Sequence, residues 1–212
     1  MSLTDLETII KLVSNKQALI PFTMKNINFN SKFFYFLLFF FLSVFKNLYS
    51  ESALDTARDG NKVIFIRHAL APGGGDPTGF KINACKTQRN LNEIGVLQSK
   101  KIGKIFKDNR IPIDTVLSSQ WCRCKDTAYY AFGEFREFSA LNSTFSKPYI
   151  KNEPRQINEI KNYLKNWEGK GKNLILVTHY SVITAITDAT PSSGEIVITD
   201  KNLNVISTIE TN

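Results

Sequence analysis

Past residue 61 the chain alternates two rhythms: short unbroken apolar runs, and longer stretches with apolar residues every three or four positions. "KVIFI", Lys62 to Ile66, is β-branched and reads as a buried strand. "NLNEIGVLQSKKIGKIFKD" predicts a helix, with Asn90 or Asn92 near its cap and Ile94, Leu97, Ile102 and Ile105 along one side. "IDTVLSS" predicts the next strand, and "WCRCKDTAYYAF" a second helix stopped at Gly133. "EFREFSAL" predicts a third strand. Pro154 opens a helix whose Ile157, Ile160, Leu164 and Trp167 form a core stripe, ended by Gly169 and Gly171. "NLILVT" predicts a fourth strand, followed by His179 and a short helix. "EIVIT" and "NVISTI" predict a closing hairpin around "DKNLN". The alternation implies an α/β domain over 53–212, with a mainly parallel sheet flanked by helices on both faces and a C-terminal hairpin.

The first 52 residues follow a different pattern. "FFYFLLFFFLSVF", Phe33 to Phe45, is an apolar run of thirteen residues behind Lys25 and Lys32. At about 1.5 Å per helical residue it falls short of the ~30 Å hydrocarbon core, and matches the apolar centre of a signal peptide. Ser50 and Ser52 are small residues suited to cleavage, and Met24 opens "MKNINFNSK", a basic lead of the right kind. The expectation is a leader over 1–52, with a signal peptide around 24–52 and a periplasmic or secreted product. An uncleaved membrane anchor is the alternative. No cysteine precedes Cys85, which excludes a lipid-modified N-terminal cysteine.

Charge and cysteines change the picture modestly. The 212 residues carry a net charge of +8, but the lysines are scattered and form no block. This favours a basic pocket for anionic ligands over a groove that tracks nucleic acid. Export would permit a disulfide. Cys122 and Cys124 are too close in sequence to bridge each other in regular structure, so Cys85 can pair with either. The spacing of Cys and His fits no zinc site, no carboxylate cluster suggests a catalytic metal, and no nucleotide-binding loop of the Gly-Lys-Ser type occurs. No cofactor is expected.

The candidate chemistry lies at strand exits, where sheets of this kind bind ligands. Arg67-His68 follows the first strand, Ser118 to Arg123 the second, and Thr178-His179 the fourth. Both histidines of the chain therefore occupy positions that can converge. Residues 71–90 form a loop whose length alone suggests function. A phosphoryl group in transit carries charge on its equatorial oxygens, and Arg67 and Arg123 offer planar forks to meet it. A neutral imidazole is itself a nucleophile, and His68, anchored by its strand, is the better candidate. The neighbouring arginine should lower its pKa and keep it unprotonated. His179 would donate to the phosphoryl oxygens. Backbone N–H groups of Gly73, Gly74 and Gly75 would add donors.

"FIRHALAPG", "RNLNEIGVLQ", "SSQWCRCKDTA" and "LILVTHYSVITA" together resemble the four ordered signatures of the histidine phosphatase (phosphoglycerate mutase-like) superfamily. The resemblance covers residues 62–187 and uses both histidines. It implies that His68 is the nucleophile, Arg67 and Arg123 bind phosphate, and His179 is the second imidazole. Gln88 and Arg89 fall in a segment that often lines the family's pocket.

Two departures accompany it. Ser143 in "ALNSTF" stands where mutase-like members carry a catalytic glutamate. Tyr180 stands where the phytase-like branch has an acid after its late histidine. A positioned acid contributes roughly 10²–10⁴-fold, so either another carboxylate serves or the leaving group needs little protonation. Asp76, just past His68, is the first choice among Asp76, Glu134, Glu137 and Glu153. The resulting expectation is an exported phosphatase that hydrolyses phosphomonoesters through phospho-His68. Its partner would be a phosphorylated small molecule or envelope glycan, such as phosphorylated lipopolysaccharide core, with contact to a membrane only through an uncleaved leader. The alternatives are a phosphohistidine protein phosphatase and a degenerate module that binds phosphate without turning it over.

Overall fold

In the computed structural model, residues 39–40 and 53–212 are described. The chain divides into two units, Met1–Ser43 and Val44–Asn212. Of the first, Phe39 and Phe40 are helical and exposed. The remainder of the expected leader, including Met24 and the Ser50–Ser52 cleavage region, lies outside the described residues. Among the described residues no helix is long and apolar enough to cross a membrane.

Six strands form one sheet in the second unit. They are β1 (Val63–Arg67), β2 (Ile113–Ser118), β3 (Arg136–Glu137), β4 (Asn173–Thr178), β5 (Ile196–Thr199) and β6 (Val205–Ile209), in spatial order β3-β2-β4-β1-β5-β6. The pairs β1–β4, β4–β2 and β2–β3 are parallel, while β5 runs antiparallel to β1 and β6 antiparallel to β5. The expected parallel sheet with a closing hairpin is therefore present. "EFREFSAL" is the exception: it pairs only at Arg136 and Glu137, against Leu117 and Ser118, and then turns into a single 3₁₀ turn, Ser139–Leu141. That turn buries Ala140 and Leu141 instead of extending an edge strand.

The period-2 pattern of the strands divides the core. Ile64 and Ile66 of β1 join Ile175 and Val177 of β4 on one face. Val63 and Phe65 join Leu174 and Leu176 on the other. Helices α1 (Glu93–Asp108) and α2 (Cys122–Phe132) cover the first face through Ile102, Phe106, Cys124 and Ala128. After the short α3 (Lys147–Ile150), α4 (Glu153–Asn166) and α5 (Tyr180–Thr187) cover the second through Ile160, Leu164, Val182 and Ile183. Each such aliphatic side chain, fully buried, contributes about 1.5–3 kcal/mol.

Helix α1 turns a different face inward from the one its apolar residues suggest. Asn92 caps it, its side chain accepting from the Gly95 N–H at 2.9 Å. The buried positions are Gly95, Gln98, Ser99, Ile102 and Phe106, whereas Ile94 and Leu97 are 61% and 65% exposed. The first turn is oriented by backbone proximity and polar anchoring. A Cβ at Gly95 would stand 2.1 Å from the Leu70 carbonyl oxygen, so only glycine fits. Gln98 accepts from the Leu70 N–H at 2.9 Å and donates to the Ser193 carbonyl at 2.7 Å. Helix α2 ends as expected at Gly133, whose φ of 77° suits a residue without a Cβ.

Candidate active site

Three parallel strands, β1, β4 and β2, end side by side, and their exits carry the chemistry. The His68 N–H donates to the Thr178 carbonyl at 2.9 Å, extending the β1–β4 ladder by one residue and setting His68 beside His179. The next residue is fixed from α2: Ala69 N–H donates to Thr127 Oγ1 at 3.0 Å, and that hydroxyl donates to the Arg123 carbonyl at 2.7 Å. The Thr-Ala end of "SSQWCRCKDTA" thus locks the histidine loop onto the arginine helix. "RNLNEIGVLQ" performs the same service through Gly95 and Gln98, one residue further on.

The two imidazole centroids lie 5.4 Å apart, with planes crossed at 67°. They face a cavity of about 180 Å³, whose wall also includes Arg67, Arg89, Arg123 and Gly73 to Gly75. Its volume suits a phosphoryl group with part of a leaving group. His68, His179, Arg67, Arg123, Arg89, Asp76 and Gly74, the site residues expected from the sequence, all line it. Gln88 does not. Its side chain donates to the Lys81 and Ile82 carbonyls and accepts from the Cys122 N–H, bracing the loop from behind. Ser143 and Tyr180, which stand where an acid was expected, are also in the wall, as is Phe145, 68% exposed near the rim.

His68 donates its Nδ1–H to the Ala69 carbonyl at 2.8 Å, which leaves the Nε2 lone pair free. Burial, followed by the Arg123 charge, pushes its pKa down to about 3, against a smaller upward pull from the Ala69 carbonyl. Arg89 and Arg67 lower it further. The ring is therefore neutral throughout the physiological range, as a nucleophile must be. His179 is held well below its ordinary pKa by burial, then by Arg123 and His68.

The arginines differ in how they are held. Arg67 gives Nη1–H to the Pro191 carbonyl at 2.8 Å, and its guanidinium lies 5.7 Å from the Tyr180 ring centre. Arg123 grips Asp76 with both terminal nitrogens, at 2.6 and 3.3 Å. The Nε atoms of Arg67 and Arg123 are both buried with no hydrogen-bond partner. Two buried cationic donors without partners cost free energy. Arg89 braces the glycine loop, giving Nε–H to the Gly75 carbonyl at 2.8 Å and Nη1–H to the Ala71 carbonyl.

Asp76 is the one carboxylate among the described residues that line the cavity. Both its oxygens accept hydrogen bonds, from Arg123 and from the Trp121 indole N–H at 2.9 Å. Burial alone would raise its pKa, but those bonds and the charges of Arg123 and Arg89 outweigh it and the pKa is lowered. The expectation that Asp76 is the first choice as proton donor therefore meets a carboxylate held ionised, which orients Arg123. Glu134, Glu137 and Glu153 are not in the cavity wall; Glu137 pairs with Lys125 and Glu153 accepts from Thr144.

Asn142 escaped sequence reasoning, and the roles of Ser119 and Trp121, inside the candidate group Ser118 to Arg123, were not assigned. Trp121 and Ser119 sit within the quoted "SSQWCRCKDTA", so their position was visible while their partners were not. Cys85 bridges Cys122, which settles the open pairing and ties the site loop to the first residue of α2. Cys124 stays a buried free thiol whose pKa burial pushes up to about 12, inert at neutral pH. Among the described residues, no group of three or more His, Cys, Asp or Glu is placed to hold a metal ion.

No protein-family model and no curated protein matches the sequence. Solved structures do match. A candidate phosphohistidine phosphatase, SixA from Agrobacterium tumefaciens, is 17% identical over 72% of this chain and 99% of that one, with a TM-score of 0.51. TTHB049 from Thermus thermophilus is 16% identical over 71% and 99%, with a TM-score of 0.50. A phosphoglycerate mutase from the same organism is 16% identical over the same shares, with a TM-score of 0.47. The likeness is one of fold alone: the mixed sheet between helices is shared with the first two of these structures.

Proposed function

We propose that this chain is a phosphatase that works through a phosphohistidine intermediate on His68. The observation that carries the reading is the His68 ring. Its Nδ1 is bound to the Ala69 carbonyl, its Nε2 lone pair is unspent, and it borders a hollow walled by three arginines. In the first step Nε2 attacks phosphorus, the phosphorus–leaving-group bond breaks, and the leaving group departs with the bonding electrons. In the second, water attacks phosphorus, the P–N bond returns its electrons to Nε2, and phosphate leaves after losing a proton to solvent. Arg67 and Arg123, whose side chains line the hollow, would meet the charge that spreads over the equatorial oxygens. The N–H groups of the Gly73–Gly75 loop, held open by Arg89, are further donors.

The preferred substrate is a phosphomonoester outside the cytoplasm, of the kind found on cell-envelope sugars. The apolar run of the leader and the Cys85–Cys122 disulfide support export. A second reading, phosphohistidine on a protein, is favoured by the ionised state of Asp76. With no carboxylic acid to protonate the leaving group, departures that need no proton from the enzyme are quickest, and the imidazole of a phosphohistidine whose other ring nitrogen already carries a proton is one. The SixA neighbour is described as a phosphatase of that kind.

The test is a panel of sugar, alkyl and aryl phosphates together with phosphohistidine, assayed with wild type and His68→Ala. Labelled phosphate should be trapped on the wild type and not on the variant. Across the panel kcat/KM should fall as the leaving-group pKa rises. Turnover that survives in His68→Ala would overturn the reading. An intact mature N-terminus upstream of residue 45, in protein recovered from the cytosol, would sink the export part alone.

A further inference from the structure

Ser119 is fully buried, and its hydroxyl meets four groups: the Trp121 backbone N–H, Asn142, His179 and the Cys124 thiol. The Trp121 backbone N–H can only donate, and it points at Ser119 Oγ from 3.3 Å. Asn142 Oδ1 lies 3.2 Å away and also takes the Gln120 backbone N–H at 2.9 Å, which identifies that atom as the oxygen. The amide nitrogen of Asn142 accordingly donates to Gln120 Oε1 at 2.8 Å. Ser119 therefore gives its hydrogen to Asn142 and turns a lone pair towards His179 Nε2, at 2.9 Å. The other group near Nε2 is the Cys124 thiol, 3.4 Å away, whose hydrogen is directed at the Thr178 carbonyl at 3.6 Å.

We infer that Ser119 is a positioning residue: it holds the single proton of neutral His179 on Nε2, so that His179 grips an oxyanion only after taking up a second proton. The inference rests on the phosphatase reading, which places the anion against this ring. A neutral imidazole has one N–H, and Ser119 occupies it. A second N–H exists only in the imidazolium. Anion binding and proton uptake are then one event. The groups that face His179 set the balance: Arg123 and Cys124 from α2, His68 and Arg67 at the exit of β1, and Arg89 from the loop. All the cations among them oppose protonation in the empty site, and an arriving dianion reverses that field. The nucleophile needs the opposite arrangement, and has it, since the hydrogen of His68 is committed to a backbone carbonyl.

Inorganic phosphate is the probe. Calorimetric titration of the whole protein at pH 8, in buffers of different ionisation enthalpy, reads the proton count directly. Wild type should take up about one proton per phosphate bound, Ser119→Thr the same, and Ser119→Ala less than half as much. Nitrogen-15 spectra of the histidine rings in the unliganded wild type should show His179 protonated at Nε2, a readout that needs no variant. Phosphate binding without proton uptake would overturn the inference, as would a hydrogen on Nδ1. Trapping of phosphate on His68 in the same preparation separates the two proposals: a labelled enzyme with no proton uptake leaves the phosphatase reading standing and removes this one.

Discussion

The two ends of the parallel strands treat buried polar groups in opposite ways. At the amino end, Asn173 opens β4 fully buried and fully partnered. It donates to the Ala57 and Pro112 carbonyls, both at 2.8 Å, and accepts from the Lys62 N–H at 3.0 Å. At the carboxyl end, Arg67 and Arg123 each keep a buried Nε–H with no partner, and three guanidiniums converge on two neutral imidazoles. The amino end even holds a larger hollow, about 620 Å³ against about 180 Å³, lined by residues such as Asp114, Trp167, Gly169 and Lys172. Size does not mark the site. Unmet hydrogen-bonding capacity and like charges held together do, because folding alone gives no reason to keep them.

That contrast can be broken by experiment. Arg123→Ala removes an orphaned donor and one side of a pair whose side chains are 3% and 16% exposed. It should lower kcat/KM by roughly 10²–10³-fold. A loss below tenfold would show that the carboxyl end is architecture, like the amino end. Cys85→Ser opens the Cys85–Cys122 bridge, which spans 37 residues, and should cost about 3–4 kcal/mol in denaturant midpoints. The site loop should become the first segment cut in limited proteolysis.

Asn173→Ala makes the reciprocal test. It should cost about 2–3 kcal/mol of stability, since three partners lose their hydrogen bonds, with kcat/KM at 25 °C unaltered. A fall in turnover without a fall in stability would erase the division between the two ends.

The smallest effect is on pH. His68 titrates near 6.5 when unfolded and at about 3 when folded, so between those values the unfolded chain binds the extra proton. Its contribution is complete above pH 6.5 and is lost as pH falls towards 3, at up to about 1.4 kcal/mol per pH unit. Unfolding midpoints measured from pH 7 to pH 5 should shift accordingly, and less so in His68→Gln.

Legibility varied with the range of the force involved. β1 and β4 were plain because a buried strand must be apolar on both faces, and α2 because Gly133 ends it. Helix α1 was legible as a helix, but the buried face was not, since the choice rests on Gly95 meeting the Leu70 carbonyl and not on Ile94 or Leu97. The stretch at Arg136 was too strand-like in composition for its two paired residues: β2 ends at Ser118, and beyond it the chain turns to bury Ala140 and Leu141. In the site, the side chains were named by their place after strands and in the loop that follows β1. The state of Asp76 was not legible, because Trp121 and Arg123 reach it across 45 and 47 residues.

The chain by itself determined the strand and helix order, the placement of both histidines and two arginines at strand exits, and the wider supply of fixed positive charge. Those follow from local periodicity and from residue type, which neighbours in sequence decide. Only the tertiary structure decided which cysteine pairs with Cys85, which nitrogen of His68 holds the hydrogen, and that Arg123 and Trp121 hold the Asp76 carboxyl below its ordinary range. Those depend on donors and acceptors brought together from distant segments, and hydrogen bonds act only within about 3.5 Å.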